Sequence, residues 1–96
     1  MNAVVRVHTF KVEPEKLDEF RTRRAAVIDL IRSAHPGLTS TRLVRLDDGT
    51  YTDTWHWESM QAMAAAFPLA QSPEAAAAWE FTSDSTAVNG EVVDEH

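Results

Sequence analysis

Arg6 and His8 stand two residues apart in a run of alternating character, and Asp53 stands in a second such run, Tyr51 to Trp57. Successive side chains of a strand point to opposite faces, so Arg6 and His8 share one face with Val4 and Phe10. By the same count Asp53 shares a face with Tyr51, Trp55 and Trp57. His8 is a candidate proton acceptor, because its unperturbed pKa lies close to neutrality. A satisfied structural histidine is the plainer alternative. Asp53 is costly to bury in an apolar strand without partners, so it is either hydrogen-bonded by the protein or borders a pocket. Arg6 could hold an anionic substrate group or pair with Asp53, and both readings stay open.

Around these groups the chain offers apolar walls: Trp55, Met63, Phe67 and Trp79. A few polar side chains set in such a lining is how small-molecule pockets are built. For Trp55 the plainer reading is core, since aromatic residues on strands dominate burial. The remaining histidines carry less: His35 sits in a loop, His56 is on the opposite strand face, and His96 is terminal. None is paired with a carboxylate at zinc-site spacing, and there is no cysteine, so no metal is expected. The three glycines make no Gly-x-Gly cradle, and no Gly-x-Ser-x-Gly elbow is present, so no nucleotide cofactor or serine nucleophile is expected either.

The elements that must position these residues can be read in order. Ala3 to Val12 is rich in β-branched residues and alternates, which predicts a strand. Glu13-Pro14-Glu15 opens a helix that runs to about Ser33, with Leu17, Phe20, Val27, Ile28 and Ile31 at helical spacing, and His35-Pro36-Gly37 stops it. Leu38 to Leu46 and Thr50 to Trp57 form a hairpin around Asp47-Asp48-Gly49. Ser59 caps a short helix that Pro68 is expected to interrupt, and Ser72-Pro73-Glu74 caps another. Thr86 to Val93 reads as the last strand. The order βαββαβ predicts an α+β, ferredoxin-like domain: a four-stranded antiparallel sheet with its helices on one face. The other face, with Val5, Val7 and the threonines of the third strand, is left for a second copy of the chain, so a homodimer is expected.

Composition agrees with one domain over residues 1–96. Of the 96 residues 44% are hydrophobic and 25% charged, an ordinary globular balance. The net charge of −6 opposes nucleic-acid binding, and Arg21, Arg23 and Arg24 share their helix with enough acids to read as a mixed solvated face. No apolar run is long enough to predict a membrane span, and the expected location is the cytoplasm.

The βαββαβ order, the His35-Pro36-Gly37 break and the segment Trp57-Glu58-Ser59-Met60-Gln61-Ala62 resemble the antibiotic biosynthesis monooxygenase family of dimeric α/β barrels, across nearly the whole chain. The resemblance implies oxidation of small aromatic polyketides to quinones by dioxygen, without metal or flavin, the deprotonated substrate supplying the electrons. It also implies that Trp57 is the motif tryptophan, that Asp53 stands where relatives have an asparagine, and that Met63 stands where they have a tyrosine. Both departures point to a different substrate. Haem-degrading relatives would place an asparagine, a tryptophan and a ligating histidine at His8, Ala66 and Ala76. None is present, so haem is not expected.

Two functions follow as expectations. The first is a cofactor-independent monooxygenase or related enzyme acting on a small aromatic or apolar metabolite. In it His8 or Asp53 removes a proton, Trp57 packs the substrate, and Arg6, Trp55, Met63, Phe67 and Trp79 line the site. The second is a non-catalytic dimeric small-molecule-binding or accessory module whose aromatic residues are core. An open cavity bordered by both His8 and Asp53 would favour the enzyme, whereas full satisfaction of both by the protein would favour the module.

Overall fold

A computed structural model describes residues 2–96. The chain runs β1 (Val4–Val12), a 3-10 turn (Pro14–Lys16), α1 (Leu17–Ala34), β2 (Leu38–Arg45), β3 (Tyr51–Trp57), α2 (Met60–Ala70), α3 (Pro73–Trp79) and β4 (Thr82–Glu91). The strands form one antiparallel sheet in the order β2-β3-β1-β4, with the helices packed on one face. This is the ferredoxin-like α+β fold expected from the element order.

Register places the site residues side by side. On β1, His8 lies opposite Asp53 of β3, and Arg6 lies opposite Trp55. Burial along β3 alternates strictly: Tyr51, Asp53, Trp55 and Trp57 are buried under the helices, while Thr52, Thr54 and His56 are half-buried on the open face. The core is continuous beneath α1, which presents Phe20, Val27, Ile28 and Ile31. One group gathers these last three with Val4, Trp55, Trp57 and Met63, and a smaller one gathers Phe10, Val12, Phe20 and Tyr51. Trp79, at the end of α3, packs against both.

Local chemistry explains the boundaries. The Ser59 hydroxyl accepts from the Ala62 N–H at 3.1 Å, and the Ser72 hydroxyl from the Ala75 N–H at 3.2 Å, so both expected caps form. Gly49 turns the β2–β3 hairpin with φ +88°, a region costly for side-chain-bearing residues. Gly37 is required for a different reason: a Cβ there would stand 2.7 Å from the Ala62 Cβ, where β2 begins against α2.

Two expectations need correction. Pro68 does not interrupt α2, which continues to Ala70. Proline forfeits only the bond to the Ala64 carbonyl, and so near the helix end a single lost bond is tolerated. β4 starts at Thr82 rather than Thr86 and ends at Glu91 rather than Val93. Its first residues, Thr82 and Ser83, pair with Val12 and Lys11 beyond a register shift after Thr9. Asp84 sits within that irregular stretch at φ 52°, a conformation aspartate reaches more easily than most residues, and its carboxylate meets Lys11 at 3.2 Å.

Candidate functional site

The sheet and the helix layer part between β1, β3, α2 and α3 to leave a cavity of about 410 Å³. Arg6 and His8 of β1, Trp55 and Trp57 of β3, Met63 and Phe67 of α2, and Trp79 of α3 all border it. Seven of the eight residues singled out in the sequence are thus brought to one place. Val27 and Ile31 of α1, with Ala66, Ala70 and Gln71, complete the lining. Phe67 is 44% exposed and marks the open side.

Asp53 is the exception. Its side chain is fully buried, and both carboxylate oxygens are taken by Arg24, from Nε at 2.8 Å and Nη2 at 2.7 Å. It does not border the cavity. The partner considered for it in the sequence, Arg6, is engaged elsewhere. The sequence puts Arg24 on a mixed solvated helix face with Arg21 and Arg23, whereas its side chain is 13% exposed. The signal for this lay in the spacing: Arg24 falls four residues after Phe20 and three before Val27, on the stripe that α1 buries. Arg21 and Arg23 do remain exposed, making long i,i+3 and i,i+4 contacts with Asp18 and Glu19.

Arg6 and His8 form the polar edge of the cavity. Arg6 Nε–H donates to His8 Nε2 at 3.2 Å, and Arg6 Nη1 donates to the Asn89 side-chain oxygen on β4 at 2.9 Å. The guanidinium also lies 5.8 Å from the centre of the Phe67 ring, within cation–π range. With Nε2 accepting, the proton of the neutral imidazole is on Nδ1. That Nδ1 is buried and has no hydrogen-bond partner among the described residues, and the same holds for the indole nitrogens of Trp55 and Trp57. The ring is fixed on both sides by aromatic neighbours, Trp79 at 5.7 Å and Trp55 at 6.3 Å between centroids. Burial pushes the His8 pKa below its usual value, and the Arg6 charge pushes the same way. Asp53 opposes these effects and Arg24 adds to them.

A second, wider groove of about 850 Å³ lies over the β2 side of the sheet, between α1 and residues Leu43, Arg45 and Tyr51. There Arg45 donates to the Tyr51 hydroxyl at 3.0 Å. Among the described residues, no group of three or more His, Cys, Asp or Glu is placed to hold a metal ion. No helix among them is long and apolar enough to cross a membrane.

The comparisons with known proteins agree with this architecture. No curated protein matches the sequence. Among solved structures, a single-site mutant of SnoaB, a cofactor-independent oxygenase from Streptomyces nogalater, superposes with a TM-score of 0.78 at 23% identity, covering 99% of this chain and 97% of that one. An antibiotic biosynthesis monooxygenase, assigned as putative, from Caulobacter crescentus gives 0.74 at 20% identity, covering 97% and 92%. A dimeric ferredoxin-like protein from an uncultured marine organism gives 0.73 at 11% identity, covering 100% and 92%. At these identities the structures establish the shared fold. The family profile of the antibiotic biosynthesis monooxygenases matches residues 3–80, which hold β1 to α3 and every residue bordering the cavity. The chain belongs to the antibiotic biosynthesis monooxygenase family.

Proposed function

We propose that this protein is a cofactor-independent monooxygenase, or a closely related enzyme, acting on a small aromatic or apolar metabolite. The observation that carries the reading is the cavity itself, an aromatic and methionine-lined space with one polar edge at Arg6 and His8. Family membership and the oxygenase named among the similar structures support it. The chemistry it would serve is balanced without a cofactor. An acidic aryl methylene loses a proton to water at the open side of the cavity, the resulting anion gives its electrons to dioxygen, and the peroxide anion takes a proton back and loses water to leave a ketone. One oxygen atom enters the product and the other leaves as water.

In this reading Trp57 packs the substrate ring and His8 meets its ionisable oxygen. Asp53 acts from behind the cavity wall, holding Arg24 and lying opposite His8 across the sheet. The test is turnover of a panel of hydroxylated three-ring aryl ketones under ¹⁸O₂. A single ¹⁸O in the product ketone, with at least a tenfold loss in His8→Ala and Trp57→Ala, is the expected result. Binding of the panel without oxygen uptake would instead establish the non-catalytic module, a reading favoured by one observation, the engagement of both Asp53 carboxylate oxygens by Arg24.

We also propose that a second copy of the chain covers the open sheet face. Val5, Val7, Thr9, Thr52 and Thr54 stand there half-buried, and Val88 is 64% exposed. Face-to-face packing would cover this surface, and one of the similar structures is described as dimeric. Light scattering at micromolar concentration is expected to give twice the mass of the chain, and Val88→Glu to shift it toward the monomer.

A further inference from the structure

The wider groove over the β2 side of the sheet gathers positive charge on a chain whose net charge is −6. Arg21, Arg24 and Arg45 border it. Two acids face them: Asp53, held by Arg24 behind the wall, and Asp18 at the rim, 3.8 Å from Arg21 and too far for a hydrogen bond. One arginine charge is left over, and among the described residues Arg45 makes no ion pair. Its guanidinium is nonetheless fixed in place. Nε donates to the Tyr51 hydroxyl at 3.0 Å, and the group lies 5.6 Å from the centre of the Tyr51 ring, within cation–π range. Both amino groups of Arg45 stay uncommitted among the described residues, as a flat fork held before any ligand arrives. Tyr51 is 4% exposed, and accepting from Arg45 uses a lone pair of its oxygen, not its proton. The buried nitrogens without a partner belong to His8, Trp55 and Trp57, so the remaining amine of Arg24, Nη1, is open to solvent on the groove side. Leu17, Ala25 and Leu43 supply an apolar flank, and the volume of about 850 Å³ suits a small organic molecule.

We propose that this groove is a second binding site, for a small aliphatic oxyanion, a carboxylate or a phosphate ester. The amino groups of Arg45 and the Tyr51 hydroxyl take its acidic group, and its carbon chain lies along Leu17, Ala25 and Leu43. A guanidinium fork matches either oxyanion through two parallel hydrogen bonds, which a single ammonium does not. Arg21 and the open amine of Arg24 add positive potential along the α1 side. The Asp18 side chain is 98% exposed, so solvent and salt screen its opposition. No residue of this groove borders the Arg6–His8 cavity, so the site is separate from the one assigned to the substrate and does not depend on the reaction proposed there.

The test titrates hexanoate, hexyl phosphate and the neutral hexanamide into the ¹⁵N-labelled chain and follows the backbone amides. The better of the two anions is expected to bind about tenfold or more tightly than the amide, with its shifts centred on Thr22, Leu43, Arg45 and Tyr51. Binding of either anion there supports the proposal, and the tighter of the two identifies the acidic group. Arg45→Gln is expected to weaken that anion about tenfold, and Tyr51→Phe, which keeps the ring and removes the donor, about threefold. Both variants change groups at the groove surface, and an unchanged amide spectrum away from the groove confirms that they fold. Arg45→Lys separates the fork from its charge and is expected to recover only part of the affinity. No binding of either anion at millimolar concentration, equal binding of hexanamide, or an undiminished affinity in Arg45→Gln would each overturn the proposal. So would shifts centred on Arg6, His8 and Phe67, which would put the anion in the other cavity.

Discussion

Two arginines reach the same layer of the molecule and end in opposite conditions. Arg24, on α1, closes on Asp53 with two short bonds, one to each carboxylate oxygen. Arg6, on β1, touches His8 and Asn89 and still has free donors beside a cavity, while His8 keeps an unpartnered nitrogen. The two strand residues concerned, His8 and Asp53, are cross-strand neighbours, so sheet position does not separate them. What separates them is the covering element: α1 lies over Asp53 and brings its own counter-charge, whereas α2 and α3 leave space over His8. A satisfied polar pair is architecture, and an unsatisfied one beside a space is a binding edge.

That contrast is broken most forcefully from the closed side. Arg24→Ala leaves Asp53 buried and alone, which is expected to cost about 3–5 kcal/mol in chemical denaturation. The double variant Arg24→Met with Asp53→Leu is expected to recover most of that loss, since an apolar pair of similar volume needs no counter-charge. A loss under about 1 kcal/mol in Arg24→Ala would mean that Asp53 is reached by water and is available to the cavity after all.

The same contrast shows what could be read from the chain in advance. Element order follows from period-two strands, proline and serine caps and a glycine hairpin, all local features, and the fold follows from that order. Gathering seven site residues was also legible, because alternation fixes which strand residues face the helices and helical spacing places Met63 and Phe67 on one side of α2. The fate of Asp53 was not, because it depends on a residue 29 positions away whose guanidinium could as well have faced water. Arg24 looked like one of three helix arginines, and only its place on the Phe20–Val27 stripe set it apart. The tautomer of His8 and the bulge at Asp84 likewise depend on cross-strand geometry that no local pattern encodes.

A smaller effect is expected at the open edge. Arg6→Gln removes a half-exposed side chain with two hydrogen bonds and no carboxylate partner, so folding stability should fall by no more than about 1 kcal/mol. A loss as large as that of Arg24→Ala would show that Arg6 is architecture too, and the distinction between the two arginines would fail. Between these lies Ser59→Ala, which uncaps α2, the helix carrying Met63 and Phe67, and is expected to cost about 1 kcal/mol by thermal unfolding.

The smallest expected effect is the pH response of His8 itself. Its pKa in the folded chain lies below the ordinary histidine value of 6.5, chiefly through burial, with Arg6 and Arg24 adding to the depression and Asp53 opposing it. Between the folded pKa and 6.5 the unfolded chain binds the proton and the folded chain does not, so protonation favours unfolding. The contribution of His8 is therefore fully present above pH 6.5, is lost as pH falls through the interval, and changes no further below the folded pKa. Unfolding free energies measured from pH 7.5 down to 4.5 should fall more steeply for the wild type than for His8→Asn, which cannot titrate. If the two slopes coincide, the His8 ring is open to water in the folded chain, and burial does not hold its pKa down.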